Sequence, residues 1–410
     1  MQAGGLGLRT AADVGLVAFV ASRTEAAPIV EYIFDAMAAE GIPTESARSI
    51  FATQLAAARV RVDAQLGESR RPHVAAILDD GGRRARARFA SMLEGREGES
   101  RTTEGDDPEG DDPGPGGGVV AGVGFDDPEH SGTRCVPRLQ RRLARVLDDE
   151  RADAFARAAE ADGRGHDARR VRDLSDGSIN HEWLSSLAPS SRHTLELDVY
   201  VDAVRLRLGA AAAGVACCRV CGRAGVVDAA HALCCAPGAS TRGHNELRDR
   251  LLGLARDGDP HAVAEALGLL PAAPGLRPAD VLTNAAGGSG LVALDVGIAS
   301  PDSQLAITQG DALEAMRLRK RGRYAAHAED MREANLVYEP LPWSCWGREH
   351  ENTSTVLVAL CRRAARRRGD ASWRSVLRGF RADVGAILAR RASAMWRVCT
   401  LPHSPGPPRA

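Results

Sequence analysis

Between residues 94 and 134 the chain loses the means to fold. Residues 94–112 hold nine acidic side chains against two arginines, and residues 113–118 are almost entirely glycine and proline. So little apolar surface cannot offset the entropy of ordering, and a disordered acidic Gly/Pro linker is expected over 93–134. Folded structure must therefore be built separately on its two sides.

On the N-terminal side, Val17, Phe19, Ile29, Ile33, Phe34 and Met37 recur at helical intervals, and Ile50, Leu55, Val60 and Val62 mark a second amphipathic helix. Ile77-Leu78-Asp79-Asp80-Gly81 looks superficially like the paired aspartates of a polymerase. Fewer than 80 residues precede it and other polymerase signatures are absent, so polymerase activity is rejected. Asp79 and Asp80 are read instead as a helix end before Gly81-Gly82. Beyond the linker, Leu139, Leu143, Val146 and Leu147 line one side of a helical stretch over 137–172. Residues 195–208 fit either a helix or a strand, because Leu195, Leu197, Val199 and Val201 alternate with polar residues.

Apolar residues make up 44% of the 410, enough for real cores. No apolar run of membrane-spanning length and no leader pattern occurs, which predicts a soluble, unsecreted protein. The net charge of −1 conceals a basic C-terminal third, in which residues 317–400 carry 18 Lys or Arg against 8 Asp or Glu. Clusters at 317–323 and 362–368 suit a phosphate backbone, although arginine runs on helices also serve as solvated faces. Trp343, Trp346, Trp373 and Trp396 have the chemistry to stack on bases or to fill a core.

Five of the nine cysteines lie within residues 217–235. In an unsecreted chain such clustering points to metal rather than disulfides, although buried free cysteines also act as small hydrophobes. Cys218 and Cys221 form a two-residue knuckle, with His231 and Cys235 downstream, a set that suits structural, tetrahedral Zn²⁺. Cys234 is an alternative to Cys235, and His244 is a reserve ligand.

Two short apolar runs around Gly287-Gly288-Ser289-Gly290 predict a β-hairpin with Asp280 on one strand and Asp295 on the other. A helical segment over 311–333 follows, placing Lys320 and Tyr324 on one face. Carboxylates bind hard cations such as Mg²⁺, and an ammonium nearby can stabilise an attacked phosphate. Lys320 is the only lysine in the chain. The bland alternative makes Asp280 a turn residue and Asp295 an edge charge. Helices are also expected over 245–256 and 260–269, and a strand over 336–341.

Arg277-Pro278-Ala279-Asp280, fourteen intervening residues, Asp295-Val296 and then Lys320 and Tyr324 resemble the restriction-like endonuclease of non-LTR retrotransposons. That family is a branch of the PD-(D/E)xK nucleases whose lysine has moved to the helix after the second strand, leaving Gly297 where related enzymes carry it. The cysteine cluster is similar to the knuckle preceding that endonuclease, with Gly243 where an arginine is frequent before His244-Asn245. The resemblance covers residues 218–360.

It implies an α/β fold: a small mixed-sheet PD-(D/E)xK-like core, a zinc knuckle and a helical N-terminal region like the segment after a reverse transcriptase domain. The implied limits are 1–92 for the helical region, 135–214 for a helical connector, 215–257 for the knuckle, 258–400 for the endonuclease and 401–410 for a disordered tail. The implied activity is Mg²⁺- or Mn²⁺-dependent nicking of double-stranded DNA, in the nucleus if the source is a eukaryote and otherwise in a soluble intracellular compartment, with the element RNA as a further partner. Asp280 and Asp295 would bind the metal, Lys320 would assist at the phosphate, and Tyr324 would position the lysine or touch DNA. Arg277, His244, Asn245, Arg319, Arg321 and Arg323 would contact nucleic acid. A catalytically inactive zinc protein that binds nucleic acid is the alternative.

Overall fold

The computed structural model describes residues 11–93, 138–186, 192–212, 215–225, 227–235, 237–270, 273–287, 290–369 and 372–401. The stretch expected as a linker falls almost wholly outside these residues, as does the tail beyond Leu401. Two compact units divide at Arg151 and Ala152.

The first unit consists of α1 (Ala11–Ala39), α2 (Glu45–Asp63), α3 (Arg71–Leu93) and the start of α4 (Arg138–Ala161). Its core joins Leu16, Val17 and Val20 of α1 to Val62 of α2, Val74 and Ile77 of α3, and Leu139, Leu143 and Leu147 of α4. The sequence placed a helix end at Asp79-Asp80, but α3 runs on through Gly81-Gly82. The reason is packing: a Cβ at Gly81 would stand 2.8 Å from Leu139 Cδ2, so glycine lets α4 approach the middle of α3. Asp80 is held beside it by Arg142 at 2.6 Å.

The second unit continues from the end of α4 into α5 (Gly165–Leu174), α6 (Leu197–Leu208), α7 (Ala229–Cys235) and α8 (Pro237–Gly258). Residues 197–208 settle as a helix, which exposes Leu197 to 79%, buries Ala203 and Leu206, and ends on the left-handed Gly209. Then come β1 (Val263–Ala264), β2 (Val281–Thr283), β3 (Leu291–Ala299), α9 (Gln304–Gln309), α10 (Ala312–Tyr324), α11 (Ala328–Glu333), β4 (Leu336–Ser344), α12 (Glu351–Arg368) and α13 (Trp373–Thr400).

The result is a mostly helical α/β unit around one mixed sheet of order β1-β2-β3-β4. The pairs β1·β2 and β2·β3 are antiparallel, whereas β4 returns through α9–α11 to lie parallel to β3. Side chains alternate across a strand, so β3 faces two ways. Val292, Leu294 and Val296 meet Leu247, Leu251 and Leu254 of α8, Leu357 and Leu360 of α12, and Phe380 of α13. Ala293 points oppositely, toward Leu282, Tyr324 and Leu336. Strand β4 is an edge strand carrying Pro340 and Pro342, and the Pro342 carbonyl, turned away from β3, accepts a hydrogen bond from His350 N–H at 3.2 Å.

Two helix limits differ from expectation. Helix α8 starts at Pro237 rather than near Asn245. Residues 260–269 form no helix: Val263 and Ala264 pair with β2, and Glu265 and Gly268 have positive φ of 48° and 72°. Asp259 ties this segment to β2 by accepting from Thr283 Oγ1 and Asn284 N–H, each at 2.9 Å. Among the described residues no helix is long and apolar enough to cross a membrane.

Candidate active site and metal knuckle

In the β2–β3 register Val281 lies opposite Leu294, which carries Asp280 to the position beside Asp295. Asp280 donates its N–H to the Leu294 carbonyl at 2.9 Å, and its Oδ2 accepts from Val296 N–H at 2.8 Å. His244, from α8, brings Nε2 to 3.4 Å from the same Oδ2.

Asp295 is gripped from two directions. Lys320 Nζ donates to Oδ1 at 2.6 Å, and Tyr338 OH donates to Oδ2 at 2.5 Å. Lysine reaches there from α10 because residue 297 has no side chain: a Cβ on Gly297 would lie 2.9 Å from Lys320 Cε and 3.1 Å from Met316 Cγ. Tyr324 turns its hydroxyl to the Arg277 carbonyl at 2.8 Å and not to Lys320, and its ring lies 4.8 Å from that of Tyr338.

The two neighbouring carboxylates titrate in opposite directions. Burial pushes Asp280 up, but the His244 hydrogen bond, the His244 and Lys320 charges and the Val296 N–H outweigh it, and its pKa falls below the usual carboxylate value. Burial pushes Asp295 up and prevails over Lys320 and Tyr338, with the Asp280 charge adding to the rise. Burial and the Asp295 charge also raise the Tyr338 phenol, which keeps it a proton donor.

Around this centre the expected nucleic-acid residues are dispersed. Arg277, Arg319, Arg321, Arg323 and Asn245 are exposed, while His244 is half-buried against Asp280. Arg277 pairs with Glu265 at 3.3 Å, Arg321 with Glu339 at 3.4 Å, and Arg323 lies over the Tyr324 ring, 5.5 Å from its centroid. In the second cluster Arg362 stacks on Trp373 at 5.0 Å. Trp343 is fully buried in the core, so it cannot serve as a base-stacking platform.

The cysteine segment forms a second, separate centre in this unit. Cys217 bridges Ala224, Cys218 N–H donates to the Arg223 carbonyl at 3.0 Å, and the resulting turn presents Cys218 and Cys221. Asp228 Oδ1 caps α7 by accepting from His231 N–H at 2.8 Å, which orients His231 and Cys235 toward the turn. The donor atoms of Cys218, Cys221, His231 and Cys235 all lie within 4.8 Å of one another, and this set could hold a metal ion. The Cys218–Cys235 sulfurs are 3.8 Å apart and Cys221 Sγ is 3.6 Å from His231 Nε2. A tetrahedron with zinc–sulfur bonds of about 2.3 Å has sulfur–sulfur edges of about 3.8 Å, so the spacing suits Zn²⁺.

The alternatives resolve by position. Cys234 lies outside the four-ligand group and His244 is engaged by Asp280. Burial raises the Cys218 thiol, but the Cys221 N–H, the His231 ring and the Val220 N–H reverse this and lower its pKa, whereas burial and the Cys221 and Cys218 sulfurs push the Cys235 thiol up. Cys399 of α13, fully buried, packs in the same cluster as Cys218 and accepts Arg219 N–H on its carbonyl at 3.0 Å.

Sequence reasoning missed Tyr338, and it assigned His244 to nucleic acid rather than to Asp280. A tyrosine in the strand next to that of Asp295 was the available signal for the first. Comparison of the chain with protein-family models, with curated proteins and with solved structures returns no match.

Proposed function

We propose that the chain is a metal-dependent DNA endonuclease of the restriction-like kind carried by non-LTR retrotransposons, with a PD-(D/E)xK-like core and a structural Zn²⁺ knuckle. One observation carries the reading. A lysine from a helix reaches the second carboxylate of a hairpin pair through the space left by a glycine at 297, the position that a strand-borne lysine would occupy.

The donor set fits a hard cation. Two half-buried carboxylates, Asp280 at the start of β2 and Asp295 on β3, stand side by side and supply the oxygen ligands that such an ion takes. Asp280 and Asp295 would hold Mg²⁺ or Mn²⁺, which when bound lowers the pKa of water and neutralises charge on a phosphodiester. Val296 N–H and His244 fix Asp280, and the Lys320 ammonium stands ready to stabilise developing charge on phosphate oxygens. Exposed Arg319, Arg321 and Arg323 project from the same helix and suit a DNA backbone; element RNA shares that chemistry.

The test is nicking of supercoiled plasmid by the full chain with Mg²⁺ or Mn²⁺, alongside Asp295→Ala and Lys320→Ala. Cleavage by the wild type with a loss of at least about 100-fold in either variant is expected. Folded wild type that shifts DNA on a gel yet never cuts it replaces this reading with that of an inactive nucleic-acid-binding remnant.

A further inference from the structure

A carboxylate offers about four lone-pair positions to donors and cations. On Asp295, Lys320 occupies one on Oδ1 and Tyr338 one on Oδ2, which fixes the carboxylate plane and leaves positions for a metal. The two donors are not equivalent. A divalent cation repels the Lys320 ammonium but not a neutral phenol, so the hydroxyl is the partner that keeps its hold in a metal-loaded site.

Tyr338 is built for that task. The parallel register sets it opposite Ala293, on the face of β3 that also carries Asp295. Its ring rests on Tyr324 at 4.8 Å and 58°, and Tyr324 is anchored by its own hydroxyl to the carbonyl of Arg277, three residues before Asp280. The two tyrosines therefore join the backbone leading to one carboxylate to the side chain of the other.

We propose that Tyr338 is a positioning residue that orients Asp295 for a divalent cation, the hydroxyl acting on the carboxylate and the Tyr324 ring acting on Tyr338. The proposal rests on the endonuclease reading of the same site. Tyr338→Phe deletes the hydroxyl and keeps the ring contact, so the fold is retained.

The experiment is a titration of the zinc-loaded full chain with Mn²⁺, followed by the electron paramagnetic resonance signal of the free ion. Wild type, Tyr338→Phe, Tyr324→Phe and Asp295→Asn are compared, with nicking measured against Mn²⁺ concentration in parallel. Tyr338→Phe is expected to weaken the Asp295-dependent site about 10- to 100-fold, as loss of an outer partner of a metal ligand does, and Tyr324→Phe by less. Nicking by Tyr338→Phe should return toward the wild-type rate at saturating Mn²⁺, which a general folding defect would not do. Binding by Tyr338→Phe within about twofold of wild type overturns the role of Tyr338 alone, since that is below the effect of an outer partner. A wild type with no Asp295-dependent Mn²⁺ site overturns both this proposal and the endonuclease reading.

Discussion

The knuckle and the carboxylate pair sit in one unit but are assembled by opposite means. The knuckle takes its four donors from residues 218–235, a turn and a short helix whose Ala229, Ala232 and Leu233 rest on Met395, Trp396 and Cys399 of α13. The carboxylate site draws on α8, β2, β3, α10 and β4, elements that a fully buried core holds in place before any ligand arrives. The first site should owe its shape to its ion, and the second should keep its shape without one.

Cys218→Ser gives the largest expected effect. It should abolish zinc binding and unfold the segment around α7, because a closed site supplies the folding energy of such a knuckle. Zinc content by atomic absorption and protection of residues 216–235 from proteolysis measure it. An unchanged proteolysis pattern in zinc-free protein would erase the contrast between the two centres.

Gly297→Ala addresses the other centre. The new methyl meets the flexible end of Lys320, which can shift, so the cost falls on the lysine position and not on the fold. Nicking should fall at least about 10-fold, with stability within about 1 kcal/mol of wild type and zinc content unchanged. Equal loss of stability and activity would mean that the glycine serves packing alone.

The smallest effect concerns the helix that carries Lys320. Hydrogen bonds from Arg317 and then His350 lower the Glu314 pKa from 4.5 to about 2. A depressed carboxylate contributes stability that is complete above about pH 4.5 and is lost as the pH falls toward 2. Glu314→Gln should therefore lower the urea midpoint near neutral pH and lose its effect toward the acid limit. With the Glu314 side chain 41% exposed, solvent screening keeps the difference below about 1 kcal/mol. A difference that persists unchanged in acid would show that the charge of Glu314 is not its source.

Legibility in the sequence follows the same division. The four knuckle donors were readable because a metal site assembled within 18 residues of chain reports itself in spacing. Asp280 and Asp295 were readable because two short apolar runs flanking a glycine-rich stretch carry the pattern of an antiparallel pair, and the small mixed sheet followed from the return of a strand after the lysine helix. Tyr338 lies 43 residues from Asp295 and meets it only through the parallel pairing of β3 with β4, which no local pattern encodes. Helix α8 begins earlier than expected and runs through Gly243. In the fold, a Cβ there would come within 2.5 Å of Arg391 Cδ, so the glycine serves close packing against α13. The helix expected over 260–269 failed because Asp259 binds β2 and so commits the next residues to the sheet.

The prolines of β4 bear on how copies of this chain treat one another. An edge strand is a ready template for intermolecular pairing, and it recruits a neighbour through outward N–H and C=O groups. Pro340 and Pro342 share the parity that faces away from β3, so neither has a proton to give, and the Pro342 carbonyl is already occupied by His350. At an exit where fibrillar stacking could start, the sheet offers an approaching strand two missing donors and a blocked acceptor.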